Sequence, residues 1–155
     1  MKLNGSATDG AFAPKGDVAA AGRALVAADI GDETAIGLFL GFLHFHAVIP
    51  SVWRALLAWI FSFFFVAVPE ELFFRGWMQN LLERRVGPAR GLLITSTLFG
   101  LSHFNKRAAL FNWRYVLLAA LAGIFYGLAW RQERRVGASA ITHASVDTIW
   151  AIWLR

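Results

Sequence analysis

The sequence predicts an all-α fold, an integral membrane protein built as a polytopic bundle of about five transmembrane helices. Three observations support this prediction. Of the 155 residues, 57% are hydrophobic, with fourteen Phe and seven Trp, whereas a soluble domain is about 45–50% apolar. The apolar runs after residue 35 are long enough to cross a hydrocarbon core of ~30 Å at ~1.5 Å per residue. Arg residues fall in short clusters between these runs, as is typical of membrane topology.

The charge and the cysteine content exclude several classes of function. The sequence contains no Cys, which excludes disulfides, thiolate-ligated metals and a cysteine nucleophile. A net charge of +5 is compatible with nucleic-acid binding, but the basic residues separate apolar segments and do not form one basic stripe. We therefore expect the lipid bilayer as a partner, and no nucleic acid.

The N-terminal region differs from the rest of the chain. Residues 1–16 are rich in Gly, Ala, Ser, Asn and Asp, and they contain no apolar run of signal-peptide length. We expect residues 1–31 to form a mobile tail, in which residues 18–30 can form an interfacial helix. Residues 32–155 form the predicted membrane domain.

The apolar segments define the candidate membrane spans. They cover residues 35–52 (span A), 53–82 (span B), 88–104 (span C), 113–130 (span D) and 137–154 (span E). Pro69 is expected to interrupt the hydrogen-bond ladder of span B, because proline has no N–H. Pro88 suits the first turn of a helix. Gly87 and Gly137 are the expected breaks between consecutive helices.

The distribution of Lys and Arg predicts the orientation. One side of the membrane would carry most of these residues, in the tail and in the B–C and D–E connections: Lys2, Lys15, Arg23, Arg84, Arg85, Arg90, Arg131, Arg134 and Arg135. The other side would carry Arg54, Lys106, Arg107, Arg114 and Arg155. The positive-inside rule then predicts a cytoplasmic N-terminus and an external C-terminus.

Span B contains two adjacent acids and an arginine. Residues 70–75 read EELFFR. A charge near the bilayer centre costs at least ~2.5–3.5 kcal/mol, so ionisable groups there are rare and usually functional. Glu71 and Arg75 are four residues apart on one helical face and can pair. Glu70 points about 100° away without a local partner, which suits a general base. Alternatively, both acids only join helices together.

Two histidine motifs follow on later spans. Residues 99–103 read FGLSH and place His103 near the end of span C. Residues 143–147 read HASVD and place His143 and Asp147 on one face of span E, within reach of each other. A lone histidine such as His103 is more often a satisfied or interfacial polar group than a catalyst, and His143 and Asp147 alone could equally be a hydrogen-bonded pair inside the bundle.

A simple depth count allows these groups to converge. Counted from the predicted cytoplasmic helix ends at ~1.5 Å per residue, Glu70 and His103 lie ~21 Å deep, Asp147 ~15 Å and His143 ~9 Å. Helix tilt could close the remaining gap. His44 and His46 in span A are two residues apart and face different sides of a helix, so we expect them in packing or at the interface.

The order of the three motifs carries a resemblance. An E-E-x-x-x-R segment, then F-x-x-x-H, then H-x-x-x-N/D, each on its own membrane helix, resembles the signature of the CPBP family. This family comprises CAAX proteases and bacteriocin-processing enzymes and includes the type II CAAX prenyl endopeptidases. Residues 69–76 (PEELFFRG) strengthen the resemblance, which covers about residues 53–150. It implies a four-helix catalytic core plus one further helix.

The resemblance also implies a function and a set of site residues. The expected function is an intramembrane endopeptidase that hydrolyses a peptide bond of a membrane-associated peptide or protein. In this family Glu70 would activate the attacking water and His103 would help to hold it. His143 and Asp147 would stabilise the oxyanion.

Metal dependence remains open at the level of sequence. In the metal-free mechanism that the resemblance implies, Glu71 and Arg75 brace the site and no cofactor is required. The alternative is a Zn²⁺ ion, because nitrogen and oxygen ligands suffice for zinc. Its ligands would be Glu70, His103, His143 and Asp147. No H-E-x-x-H motif is present.

Position 147 departs from the better-known prenyl endopeptidases, which have Asn there. An Asn amide donates a hydrogen bond, whereas Asp147 donates only when it is protonated. Asp147 is therefore a protonated donor, an acceptor that orients His143, or a zinc ligand.

The single span before the EELFFR segment indicates a short, bacterial-type member in the inner membrane. Its expected substrate is a peptide, a leader or a membrane-anchored tail rather than a prenylated protein. One rival is a non-catalytic immunity or scaffold protein that retains a CPBP-like core. Another is a proton-coupled carrier, although no internal repeat is visible.

Overall fold

The computed structural model describes residues 51–106 and 111–154 without a break, and individual residues between 27 and 50. The two continuous stretches form four helices and no β-strand. The helices are α1 (Val52–Val86), α2 (Pro88–Leu101), α3 (Trp113–Glu133) and α4 (Val136–Trp153). The all-helical prediction is confirmed for this part of the chain.

Spans B to E correspond in order to α1 to α4, and each helix begins within one residue of its predicted start. The predicted break at Gly87 is confirmed, because its φ of 87° lies in the left-handed region that favours glycine. The predicted break at Gly137 is wrong, since Gly137 lies inside α4. The chain turns instead at Arg134, whose φ of 55° ends α3 in a left-handed cap.

Span A is not confirmed as a fifth crossing. Most of it, like most of the N-terminal tail, lies outside the described residues. His44, His46, Ile49 and Pro50 are described and are not helical, so a continuous helix over 35–52 is wrong. Pro50 accounts for this end of the span, because proline disfavours helical backbone in the residue before it.

Helix α1 continues through Pro69, and its α-helical hydrogen-bond ladder is interrupted just before that residue, where the sequence predicts an interruption. The five residues Phe63–Ala67, just before Pro69, form a π-helical turn. Proline clashes with the carbonyl four residues earlier, and a wider turn relieves that clash. A second π-helical segment, Leu72–Gln79, follows the two glutamates. Such wide turns are frequent at functional sites.

Two of the four helices are long and apolar enough to cross a membrane. These are α1, with a mean hydropathy of 1.8 over its most apolar window, and α3, with 1.3. Only 11% of the α1 window is buried in the protein, and large apolar side chains such as Trp53, Phe64 and Phe65 are exposed. Exposed apolar surface on this scale marks a contact with lipid or a partner. Helix α2, with 14 residues, is ~21 Å long and shorter than the hydrocarbon core.

Small residues bring α2 and α3 together beside Arg75 of α1. A Cβ added at Gly123 would lie 3.1 Å from Ser96 Cα and 3.3 Å from the Arg75 guanidinium. Glycine at this position therefore lets α3 approach both neighbours, as small residues do in membrane bundles. This approach exposes the Gly123 carbonyl to α1.

Candidate active site

Glu70 faces two histidines from two other helices. Glu70 Oε2 lies 3.8 Å from His103 Nε2 and 3.9 Å from His143 Nε2. These distances exceed a direct hydrogen bond and match groups that one water molecule can bridge. The Glu70 side chain keeps 30% of its surface exposed, although Oε2 itself is buried. The histidines that the depth count separated by ~12 Å thus meet at one carboxylate oxygen.

The end of α2 orients His103. Its Nδ1 lies 2.8 Å from the Phe99 carbonyl and 3.1 Å from the Ser102 hydroxyl. A carbonyl oxygen only accepts, so Nδ1 carries the proton in this contact. The other ring nitrogen, Nε2, then presents a lone pair toward Glu70 whenever His103 is neutral.

His143 is buried and held from two sides. Its Nδ1 lies 3.0 Å from Glu71 Oε1, within hydrogen-bond distance. Its ring stacks on Tyr126 with a centroid distance of 4.5 Å and an interplanar angle of 14°. An ionised Glu71 accepts a hydrogen bond from Nδ1–H of His143. This contact therefore fixes the orientation of the ring, with Nδ1 toward Glu71. Nε2 is left to face Glu70 and Asp147.

Asp147 lies one helical turn from His143, as its spacing predicted. His143 Nε2 and Asp147 Oδ2 are 3.6 Å apart. Asp147 Oδ2 also accepts a hydrogen bond of 2.9 Å from the Ser62 hydroxyl of α1. No motif in the sequence includes Ser62, whose only signal is that it is the single hydroxyl within the apolar run of residues 55–68.

The predicted pairing of Glu71 with Arg75 is present. Arg75 Nε lies 3.2 Å from Glu71 Oε2, and both side chains have no exposed surface. Arg75 Nη2 also donates to the Gly123 carbonyl at 2.8 Å. The guanidinium lies 4.6 Å from the centre of the Phe99 ring, in cation–π contact. A buried ion pair with further hydrogen bonds is the form in which charge is tolerated in an apolar interior.

The pair belongs to a longer polar stripe on α1. Glu71, Arg75, Gln79 and Glu83 recur every four residues, and all four are buried. A step of four residues drifts by about 40° in an α-helix, and the wider π-helical segment between Leu72 and Gln79 offsets this drift. The four-residue spacing continues to Gln79 and Glu83 in the sequence, although the predicted motif includes only Glu71 and Arg75.

An open cleft gives access to these groups. It has a volume of about 370 Å³ and its lining includes Ser62, Glu70, His103, His143 and Asp147. Apolar side chains of α1 and α4 form much of the remaining wall. Within the described residues, no group of three or more His, Asp or Glu side chains has the arrangement of metal ligands.

The two histidines of span A do not join this site. His46 is described as exposed, and its backbone N–H bonds to the Trp153 carbonyl at 2.9 Å. His44 is also exposed. Both agree with the expectation that they are not part of the polar constellation.

The comparisons with known proteins identify one family. No curated protein and no solved structure matches the chain. The family model described as type II CAAX prenyl endopeptidase Rce1-like matches residues 51–149, from the start of α1 to within α4. This is a family of membrane-embedded proteases. Because the match covers well over half of the sequence, the chain belongs to the Rce1-like family.

Proposed function

We propose that this protein is an intramembrane endopeptidase in which Glu70 activates a water molecule for attack on a peptide bond. The observation that carries the proposal is the position of Glu70 Oε2, 3.8 Å and 3.9 Å from two histidine nitrogens at an open cleft. A general base acts on a proton within direct reach or through one water. Membership of a protease family supports hydrolysis as the reaction.

The tautomer of His103 supports a role in holding this water. With Nδ1–H directed at the Phe99 carbonyl, Nε2 accepts a hydrogen bond. A water molecule between the two groups donates one proton to Glu70 and the other to His103. Its oxygen lone pair is then free to attack a carbonyl carbon.

His143 is the donor that we propose for the oxyanion. With Nδ1–H donating to Glu71, Nε2 donates only when the ring carries both protons. Three carboxylates surround the ring, from Glu70, Glu71 and Asp147, and they stabilise the imidazolium form. We assign Asp147 as an acceptor that orients His143, because its Oδ2 already accepts from Ser62.

The reaction then balances without a cofactor. Glu70 takes a proton from water as the new C–O bond forms, and the carbonyl oxygen becomes an oxyanion beside His143 Nε2–H. When the C–N bond breaks, Glu70 returns the proton to the leaving amine. A hydrogen-bond donor such as His143 Nε2–H stabilises the oxyanion of the transition state, and this stabilisation is strongest in a site that excludes water.

The apolar setting supports a membrane-associated peptide or protein as the substrate. Much of the cleft wall is apolar, and α1 presents its outer face to lipid. We propose a bacterial inner-membrane location with the N-terminus in the cytoplasm, as the Lys and Arg distribution predicts. The expected substrate is a leader or an anchored tail.

Two alternatives remain candidates. A non-catalytic immunity or scaffold protein would keep the helical core but would not require Glu70 at an accessible cleft. A zinc-dependent protease would use the same four side chains, Glu70, His103, His143 and Asp147, as ligands.

A membrane peptidome comparison tests the proposal and identifies the substrate. Cells that express the wild type are compared with cells that express Glu70→Gln at the same level. A peptide released only by the wild type is the expected result and defines the cleaved bond. Identical peptidomes from both strains, with both proteins folded in the membrane, would favour the scaffold alternative.

A further inference from the structure

A second cavity lies away from the candidate active site, at the end of the bundle where α1 and α3 finish. Its volume is about 580 Å³, and its walls are Asn80, Glu83, Arg84, Pro88, Trp130 and Arg134. None of these residues lines the cleft around Glu70. Glu83 lies roughly 20 Å further along the axis of α1 than Glu70.

The single acid of this cavity is fully engaged. Glu83 Oε1 accepts from Gln79 Nε2 at 2.8 Å and from Arg131 Nε at 2.6 Å. Glu83 Oε2 accepts from Arg134 Nη1 at 3.2 Å. Two arginines, Arg131 and Arg134, therefore pair with one carboxylate, and the wall itself carries Arg84 and Arg134 against the single acid Glu83. The cavity is left with net positive charge.

Arg131 and Arg134 are held in place by further contacts. Arg131 also donates to the Pro88 carbonyl, which ties α3 to the start of α2. The Arg134 guanidinium lies 4.6 Å from the centre of the Trp130 ring, and its side chain is 60% exposed. A guanidinium fixed by stacking presents its remaining N–H groups in the planar fork that matches phosphate oxygens.

The position of the cavity indicates which phosphate-bearing ligand could reach these arginines. Helices α1 and α3 are the described helices that can cross a membrane, and both end here, at Val86 and Glu133. In the membrane orientation proposed above, the cavity then lies at the level of the cytoplasmic lipid headgroups. Tryptophan is enriched at this level, and basic pockets between membrane helices on the cytoplasmic side bind anionic headgroups.

We propose that this cavity binds the phosphate headgroup of an anionic phospholipid, with Arg84 and Arg134 as the phosphate ligands. A bound headgroup would hold the end of α1 at the membrane surface. It would thereby fix the depth of Glu70, which lies roughly 20 Å along the same helix. This binding does not depend on the catalytic assignment, because the two cavities share no residue.

The test measures lipid binding to the full-length protein in neutral detergent by native mass spectrometry. Phosphatidylglycerol is the probe and phosphatidylcholine is the reference lipid. Arg84→Gln is expected to weaken phosphatidylglycerol binding about fivefold, because one arginine near an anionic membrane surface contributes about 1 kcal/mol to binding. Arg85→Gln is the matched control, because Arg85 is the exposed neighbour with the same charge and does not line the cavity.

Each outcome bears on the proposal. Selective loss in Arg84→Gln, with unchanged binding in Arg85→Gln, supports a defined site. Arg134→Lys keeps the charge but loses the planar fork, and it is expected to weaken binding without releasing Glu83. Equal losses in Arg84→Gln and Arg85→Gln, or equal affinity for phosphatidylcholine, would overturn the proposal. Complete competition by millimolar inorganic phosphate would show a free-anion site and would overturn the lipid assignment.

Discussion

The Ser62 hydroxyl on α1 donates a hydrogen bond of 2.9 Å to Asp147 Oδ2 on α4. The same oxygen lies 3.6 Å from His143 Nε2. Ser62 is buried and lies two turns before Glu70 on the same helix. Ser62, on the helix that carries Glu70, thus holds Asp147 in the position from which Asp147 orients His143.

Ser62→Ala is expected to lower kcat roughly tenfold with little change in KM. The variant removes a hydrogen bond to a charged group, worth ~1.5–3 kcal/mol, while the cleft keeps its shape. Ser145→Ala is the matched control, because the Ser145 hydroxyl accepts from Trp59 Nε1 at the same helix interface and donates to the Ile141 carbonyl. Equal loss of activity in the two variants, after correction for stability, would mean that Ser62 contributes only to helix packing and does not orient Asp147.

Glu71→Gln and Arg75→Leu are each expected to destabilise the protein. Glu71→Gln leaves Arg75 without its charge partner in a fully buried setting, at a cost of ~3–5 kcal/mol, and Arg75→Leu leaves Glu71 to pair with His143. The double variant is expected to lose less stability than the sum of the two single changes. Thermal unfolding in detergent gives the stability of the wild type, the two single variants and the double variant. Strictly additive losses of stability would mean that the two charges do not interact.

The local pairings were predictable from the sequence, and the contacts between helices were not. Glu71 with Arg75, and His143 with Asp147, follow from a four-residue spacing on one helix. The contact of Ser62 with Asp147 joins residues 85 positions apart, so it depends on how α1 and α4 pack. The depth count misplaced His143 because it assumed straight helices of uniform rise along the membrane normal.

The number of crossings was the least predictable feature. Hydropathy predicts helices well, but it does not distinguish a span from a helix that is too short to cross. Helices α2 and α4 and the region before Val52 are the places where the prediction of about five crossings was not confirmed. Arg134 was also unpredictable as a turn residue, because its left-handed backbone is held by contacts with Glu83 and Trp130.

Asp147→Asn distinguishes the metal-free mechanism from the zinc alternative. In the metal-free account activity is retained within about tenfold, because the amide oxygen still accepts from Ser62 and the amide can itself donate to an oxyanion. A zinc ligand replaced by an amide would instead lose metal and activity together. Metal analysis of the active wild type before and after chelation provides the second measurement. Stoichiometric zinc that is lost together with activity would contradict the metal-free account.

The orientation can be tested by labelling single cysteines, since the native sequence has none. Gln132→Cys, at the exposed end of α3, is expected to react with a membrane-impermeant maleimide only from the cytoplasmic side. Asn105→Cys, exposed between α2 and α3, serves as the comparison position. Labelling of Gln132→Cys from the external side would reverse the predicted orientation.

The most direct test of Glu70 as the base is the cleavage rate of purified Glu70→Gln on the peptide that the wild type releases. The substitution keeps the size of the side chain and one acceptor oxygen but removes the base, so the rate is expected to fall by ~10²–10⁴. Helicity and the thermal midpoint should stay at wild-type values, because Glu70 is part-exposed and its nearest histidines are 3.8 Å and 3.9 Å away. Glu133→Gln, at the exposed end of α3, is the control and should cleave at the wild-type rate. A Glu70→Gln protein that retains the wild-type rate would contradict the account.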